Sequence, residues 1–279
     1  QRGGERCSAA VAYLHPAKNR PNLTIAANAY ATRILMEGNK AVGVEYSQKG
    51  KTIQARADRE VLLSGGVFGS PQLLMLSGIG PADHLKDVGV TPVIDLPGVG
   101  KNLQDHLGVF VHYTRPDAGW FRDLMRFDRM ALAMMQAYLF KSGPATILPG
   151  GLHGFIKTRP EMAVPDIQFL FRGTSPGAHL WFPGIKKPFT DGFGMRPVLL
   201  HPESRGEVLL RSSDPRDKPR IIQNFFDSPN DLPVLRDGVK RIRDIMHQSA
   251  LDKWRGVEVA PGEDVKTDDD IDAWIRKTV

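Results

Sequence analysis

The run Gly66-Val67-Phe68-Gly69-Ser70-Pro71-Gln72-Leu73-Leu74-Met75-Leu76-Ser77-Gly78-Ile79-Gly80-Pro81 constrains this chain more than any other stretch. It follows the apolar segment Val61-Leu62-Leu63, which reads as a buried strand. Ser70 is suited to cap a helix, Pro71 to take its first position, and Gly78 to end it in a left-handed conformation. Pro81 then predicts a second helix that stops near Gly89. A strand that enters a glycine-rich turn and leaves as a helix lets backbone approach a bound nucleotide, because no Cβ intervenes and the first helical amides point outward. Glycines after strands are also common as plain turns, so the segment alone does not decide between the two uses.

Upstream of this turn the pattern has period two. Arg20-Pro21 discourages helix, and Leu23-Thr24-Ile25 begins a strand. A second strand runs through Ala31, Arg33 and Leu35; a third carries Val42, Val44 and Tyr46; a fourth carries Ile53, Ala55 and Ala57, with turns at Gly38-Asn39 and Gly50. These segments form an antiparallel meander that feeds the strand at Val61.

From about Val109 the texture changes. Trp120 to Phe140 reads as one long helix whose apolar face, with Leu124, Phe127, Ala131, Met134, Met135 and Tyr138, is expected to pack into a core, the lining of a substrate tunnel being the alternative for its methionines. Strands follow at Leu152 to Ile156, Ile167 to Phe171, Met195 to His201 and Val208 to Arg211. Helices return at Asp231 to Gln248 and at Asp268 to Lys277, the last capped by Thr267. This order predicts an α+β unit, an antiparallel sheet with helices on one face. The segment from Ser175 to Gly194 sets Trp181, Phe182, Phe189 and Phe193 among glycines and prolines, which fits either an aromatic lid or a packed irregular loop.

Composition excludes several function classes. The net charge is +6, but Lys and Arg are interspersed with acids, so no nucleic-acid partner is expected. No window of eighteen apolar residues exists, so no transmembrane segment is expected, and Gln1 begins nothing like a signal peptide. Cys7 is the single cysteine, which rules out an intrachain disulfide and favours a reducing compartment; sharing a helical face with Ala10, Val11 and Leu14, it reads as a buried thiol. Gly78-Ile79-Gly80 imitates half of a GxGxxG fingerprint, but a helix precedes it where a strand is needed. The eight histidines show no metal-ligand spacing, and even the closest pair, His106 and His112, reads as structural. No Gly-x-Ser-x-Gly elbow occurs.

Joined to Asp95-Leu96-Pro97-Gly98-Val99-Gly100-Lys101-Asn102-Leu103-Gln104-Asp105-His106, the opening run resembles a signature of the glucose-methanol-choline (GMC) family of flavin oxidoreductases. Pro202-Glu203-Ser204-Arg205-Gly206, a strand, and Asp214-Pro215 resemble a second element of that family. Val67 departs from the pattern, where the family has a small residue. The resemblance implies an α/β plus α+β fold: a partial, doubly wound FAD-binding domain with its meander over residues 1–108, and a substrate domain over 109–279. It implies FAD as cofactor, with Ala31 presenting backbone to the adenine and Ser64, Gly65 and Gly66 approaching the cofactor. Asn102, Gln104, Asp105 and His106 would brace the joint between domains.

The resemblance also implies an internal fragment. The glycine fingerprint is expected upstream of Gln1, and the catalytic His-Pro pair beyond Val279, because His201-Pro202 belongs to the Pro-x-Ser-Arg-Gly element. No catalytic residue is therefore assigned, and this segment alone is expected to be inactive. The implied parent oxidises the CH–OH group of a choline-like or alkyl alcohol and passes electrons to oxygen, a quinone or a cytochrome. A hydroxynitrile-lyase-like member and a non-catalytic domain are the alternatives. A cytoplasmic protein, free or membrane-associated, is expected.

Overall fold

The computed structural model describes residues 6–147 and 150–279. The chain divides into two units: one comprises Lys18–Asp105 with Ser204–Asp227, the other Gln1–Ala17, His106–Glu203 and Ser228–Val279. Residues Ser204–Asp227 thus return to the first unit, where Leu103 and Gly206 exchange backbone hydrogen bonds of 2.9 and 2.8 Å.

In the first unit the meander forms from Tyr30–Glu37, Lys40–Gln48 and Lys51–Arg56, paired antiparallel in that order. Alternation buries Ile34 and Val42 on one side. The following helix spans Gly66–Leu76, so it starts four residues before Ser70 and takes Gly65 as its cap; Pro71 lies inside it. Gly78 ends it at φ 80°, as its type requires. Ser77 docks the helix on the meander: its Oγ donates to Leu73 O at 2.6 Å and accepts Ile34 N–H at 2.7 Å. After a short parallel pair of Ile79–Gly80 with Ile94–Asp95 and a helix at Ala82–Asp87, the core closes on Met75, Leu85, Val99 and Leu210. Glu207–Leu209 and Arg220–Ile222 complete the unit as an antiparallel pair.

Two expected strands of this unit do not form. Leu23 to Ile25 and Val61 to Leu63 have no ladder partner among the described residues, and Leu62 is 80% exposed. An apolar run becomes a strand only where a neighbour takes its backbone donors and acceptors.

The second unit is built on a five-stranded antiparallel sheet in the order Glu258–Ala260, Val111–Thr114, Gly192–Leu199, Ile167–Arg172, Gly150–Ile156. The helix Asp231–Met246 crosses one face and buries Leu232, Leu235, Val239, Ile242 and Met246. It lies so close that a Cβ at Gly238 would stand 2.9 Å from Pro197 Cβ. The helix Asp268–Thr278 packs behind it through Ile271 and Ile275, starting in a capping box between Thr267 and Asp270.

The expected Trp120–Phe140 helix is two helices, Trp120–Leu124 and Phe127–Phe140. The break is held by Trp181, whose N–H donates to Met125 O at 3.2 Å and whose carbonyl accepts Phe127 N–H at 2.9 Å. The second helix is not a core element: only Ala133 is buried, while Met134, Met135 and Tyr138 are exposed. Periodicity locates an apolar stripe but does not say what covers it. Cys7 is likewise exposed, not buried. The aromatic segment is a packed loop more than a lid, with Phe189 and Phe193 buried and Trp181 Nε1 donating to Arg122 O at 2.8 Å.

Candidate functional site

Ala31 lies on the outer strand of the meander, which among the described residues pairs only with Lys40–Gln48. The ladder slips between Ala31 and Arg33, leaving Thr32 as a bulge whose Oγ1 donates to Glu45 O at 3.1 Å. An outer strand keeps unpaired backbone groups on one edge, the donor and acceptor pattern that an adenine edge requires. Ser64, Gly65 and Gly66 are exposed at the start of the eleven-residue helix. Gly66 sits at φ 78°, and no side chain caps the first amides, which remain available to a ligand.

One turn ties these two places together. Tyr30, next to Ala31, donates its hydroxyl to Pro215 O, and Gln72 of the helix donates to Asp217 O at 2.8 Å. The glycines, the uncapped amides and the open strand edge are small, polar and backbone-only, so they fit the adenine and phosphate portions of a dinucleotide cofactor. Farther along the unit, Asn102 adopts φ 63° and Gln104 Nε2 reaches Asn102 O at 3.5 Å. Asp105 and His106 fall at the edge where the two units divide.

The second unit offers a different surface, the sheet face away from the helix Asp231–Met246. Register places three rows there: Arg172, Gly194 and His112; His153 with Leu170 and Arg196; and Phe155 with Gln168 and Val198. Ile167, Phe169 and Pro197 occupy the other face, under the helix. Gln168 Nε2 and His153 Nδ1 are 3.0 Å apart. His112 is 7% exposed, its ring stacked on Phe110 at 5.8 Å, and its Nε2 has no hydrogen-bond partner among the described residues. It is therefore not the satisfied structural histidine that the sequence suggested. Burial first, and then the Arg172 charge, hold its pKa below the usual histidine range, so the ring is neutral at pH 7. The only sequence signal for His112 was its place between Val111 and Tyr113 in an alternating strand.

The helix-side face is closed by a buried polar triad. Tyr113 Oη donates to Glu258 Oε2 at 2.6 Å, while Arg243 Nη2 and Nε donate to Glu258 at 2.6 and 3.1 Å. Burial and the neighbouring carboxylate push the Tyr113 hydroxyl pKa up, so it remains a donor. At the end of this face an apolar cavity of about 870 Å³ is lined by Phe169, Phe171, Phe193, Met195, Met246 and Trp254. Arg115 and His153 also border it. No group of three or more metal-ligating side chains occurs among the described residues.

The models of the GMC oxidoreductase family match residues 1–108, with the N-terminal model, and 202–279, with the C-terminal model. This chain belongs to the GMC oxidoreductase family. It is 38% identical over 283 residues to an oxygen-dependent choline dehydrogenase of Pseudomonas putida, covering 99% of this chain and 48% of that protein. A protein of the same name from Staphylococcus xylosus is 35% identical, with 98% and 48% covered. Among solved structures, formate oxidase from Aspergillus oryzae, studied for modification of its FAD, superposes with a TM-score of 0.85 at 26% identity over 99% of this chain and 52% of its own. Pyridoxine 4-oxidase from Mesorbium loti gives 0.80 at 26% identity over 100% and 50%. The chain spans about half the length of the curated relatives it matches. No described helix is long and apolar enough to cross a membrane.

Proposed function

We propose that the protein containing this chain is an FAD-dependent oxidoreductase that oxidises the CH–OH group of an alcohol. The bound flavin supplies the hydride acceptor. Within this chain the Ala31 backbone reads the adenine edge, and Ser64, Gly65 and Gly66 bring backbone amides against the cofactor. The helix-free sheet face, with His112, His153 and Gln168, forms a wall of the substrate site and orients the alcohol. The observation that carries this reading is the open strand edge at Ala31 and the uncapped glycine helix start tied to one turn, within a chain of a flavoprotein family. Side chains on the sheet face support binding and orientation, and the acid–base step is assigned to none of them.

The name of the relatives supports dioxygen as the electron acceptor. A single cysteine supports a cytoplasmic location. The test is product analysis: the whole protein with FAD should convert a primary alcohol to its aldehyde while consuming oxygen. Oxygen uptake without aldehyde, or cyanohydrin cleavage with no flavin turnover, would contradict the reading.

A further inference from the structure

Charge on the helix-free face restricts what that wall accepts. Arg172 and Arg196 stand on it one row apart, on neighbouring strands, and both are exposed. Neither forms an ion pair among the described residues. Across all five strands the one carboxylate is Glu258, which lies on the opposite face bound to Tyr113 and Arg243. The carboxylates that flank the strands, Asp166 and Asp191, are both buried and engaged: Asp166 accepts Thr158 N–H at 2.8 Å and its hydroxyl at 2.5 Å, and Asp191 accepts Gly119 N–H at 2.6 Å and Gly192 N–H at 2.9 Å. A quaternary ammonium is recognised by a carboxylate or by an aromatic cage. Phe110 is stacked on His112, and Phe155 is a single exposed ring, so no cage is assembled on this face.

We propose that this wall selects alcohols without a positive charge and excludes cationic alcohols such as choline. The inference rests on the reading of this face as the substrate wall. It departs from the name carried by the relatives at 35–38% identity, whose substrate is cationic. A cation brought against two like charges on one face is disfavoured relative to a neutral molecule of the same shape.

The decisive comparison is choline against tert-butylethanol, its carbon isostere, in which a quaternary carbon replaces the quaternary nitrogen and shape is conserved. With the whole flavoprotein, kcat/KM for anaerobic flavin reduction should be about tenfold or more higher for the isostere. The double variant Arg172→Gln with Arg196→Gln should narrow that ratio, mainly by improving choline, while Arg172→Lys keeps it. Folding of each variant is checked by circular dichroism and by FAD content. A preference for choline, or a ratio unchanged in a folded double variant, overturns the inference and leaves alcohol oxidation standing. Failure of both compounds and of simple primary alcohols to reduce the flavin overturns the functional reading itself, and the inference with it.

Discussion

Tyr113 and Glu258 face each other across adjacent strands, the phenolic hydroxyl donating to the carboxylate at 2.6 Å while Arg243 clamps the other side from the helix. The three groups fasten the edge strand Glu258–Ala260 to both sheet and helix. Glu258 is buried, so its removal strands a guanidinium and a hydroxyl. Glu258→Ala should cost roughly 3–5 kcal/mol, the range for a broken buried pair. Tyr113→Phe removes one hydrogen bond to a charged acceptor and should cost about 1.5–3 kcal/mol. Urea unfolding of both variants checks this; a loss below about 0.5 kcal/mol for Glu258→Ala, as at an ordinary surface site, would show that the triad is not a structural clamp.

Ser77 makes a comparable junction in the other unit. Ser77→Ala leaves the Ile34 N–H without its acceptor at the point where the meander meets the helix. The expected cost is about 1–3 kcal/mol, and Ser77→Thr, which keeps the hydroxyl, should recover part of it. Equal stability of Ser77→Ala and the wild type in thermal melts would refute the junction.

His84 predicts a pH dependence. Its Nε2 accepts Leu210 N–H at 3.0 Å, which only the neutral ring can do, and burial followed by the Arg220 charge lowers its pKa from 6.5. Because the folded value is the lower one, the stabilisation is fully present above pH 6.5 and is lost as pH falls from there through the folded pKa. The urea midpoint of the wild type should therefore fall on acidification more steeply than that of His84→Gln. Parallel curves for the two proteins would contradict the assignment.

The proposed flavin contact is tested by a pair of changes at one residue. Ala31→Ser keeps the backbone and should leave FAD content nearly unchanged, whereas Ala31→Pro deletes the N–H, fixes φ and should lower FAD occupancy. Both are compared at equal folded fraction, judged by circular dichroism and thermal melting. A folded proline variant with full FAD would move the adenine contact away from Ala31.

Much of this architecture was legible because local rules and tertiary packing agreed. Thr267 capped its helix, Gly78 and Gly89 ended theirs, and the strands of the meander paired antiparallel around their glycine turns, although Ile34, not Ala31, Arg33 or Leu35, takes the buried side. Where a segment depends on a partner, the sequence misled. Val61 to Leu63 found no ladder, and the Met134 and Tyr138 face found no cover. The break at Arg126 came from Trp181, fifty-five residues away, which no local pattern carries. The candidate site divided in the same way. Ala31 and Gly66 could be named from a motif, but His112, Arg172 and Arg196 become a surface only once register brings three strands together.

The central claim is that this chain belongs to an alcohol-oxidising flavoprotein, and anaerobic titration of the purified holoprotein with a primary alcohol tests it most directly. Bound FAD should bleach to its reduced form with one equivalent of aldehyde formed for each flavin reduced, and admission of oxygen should restore the oxidised spectrum. A protein that carries FAD yet stays oxidised in the presence of every alcohol tried would contradict the account.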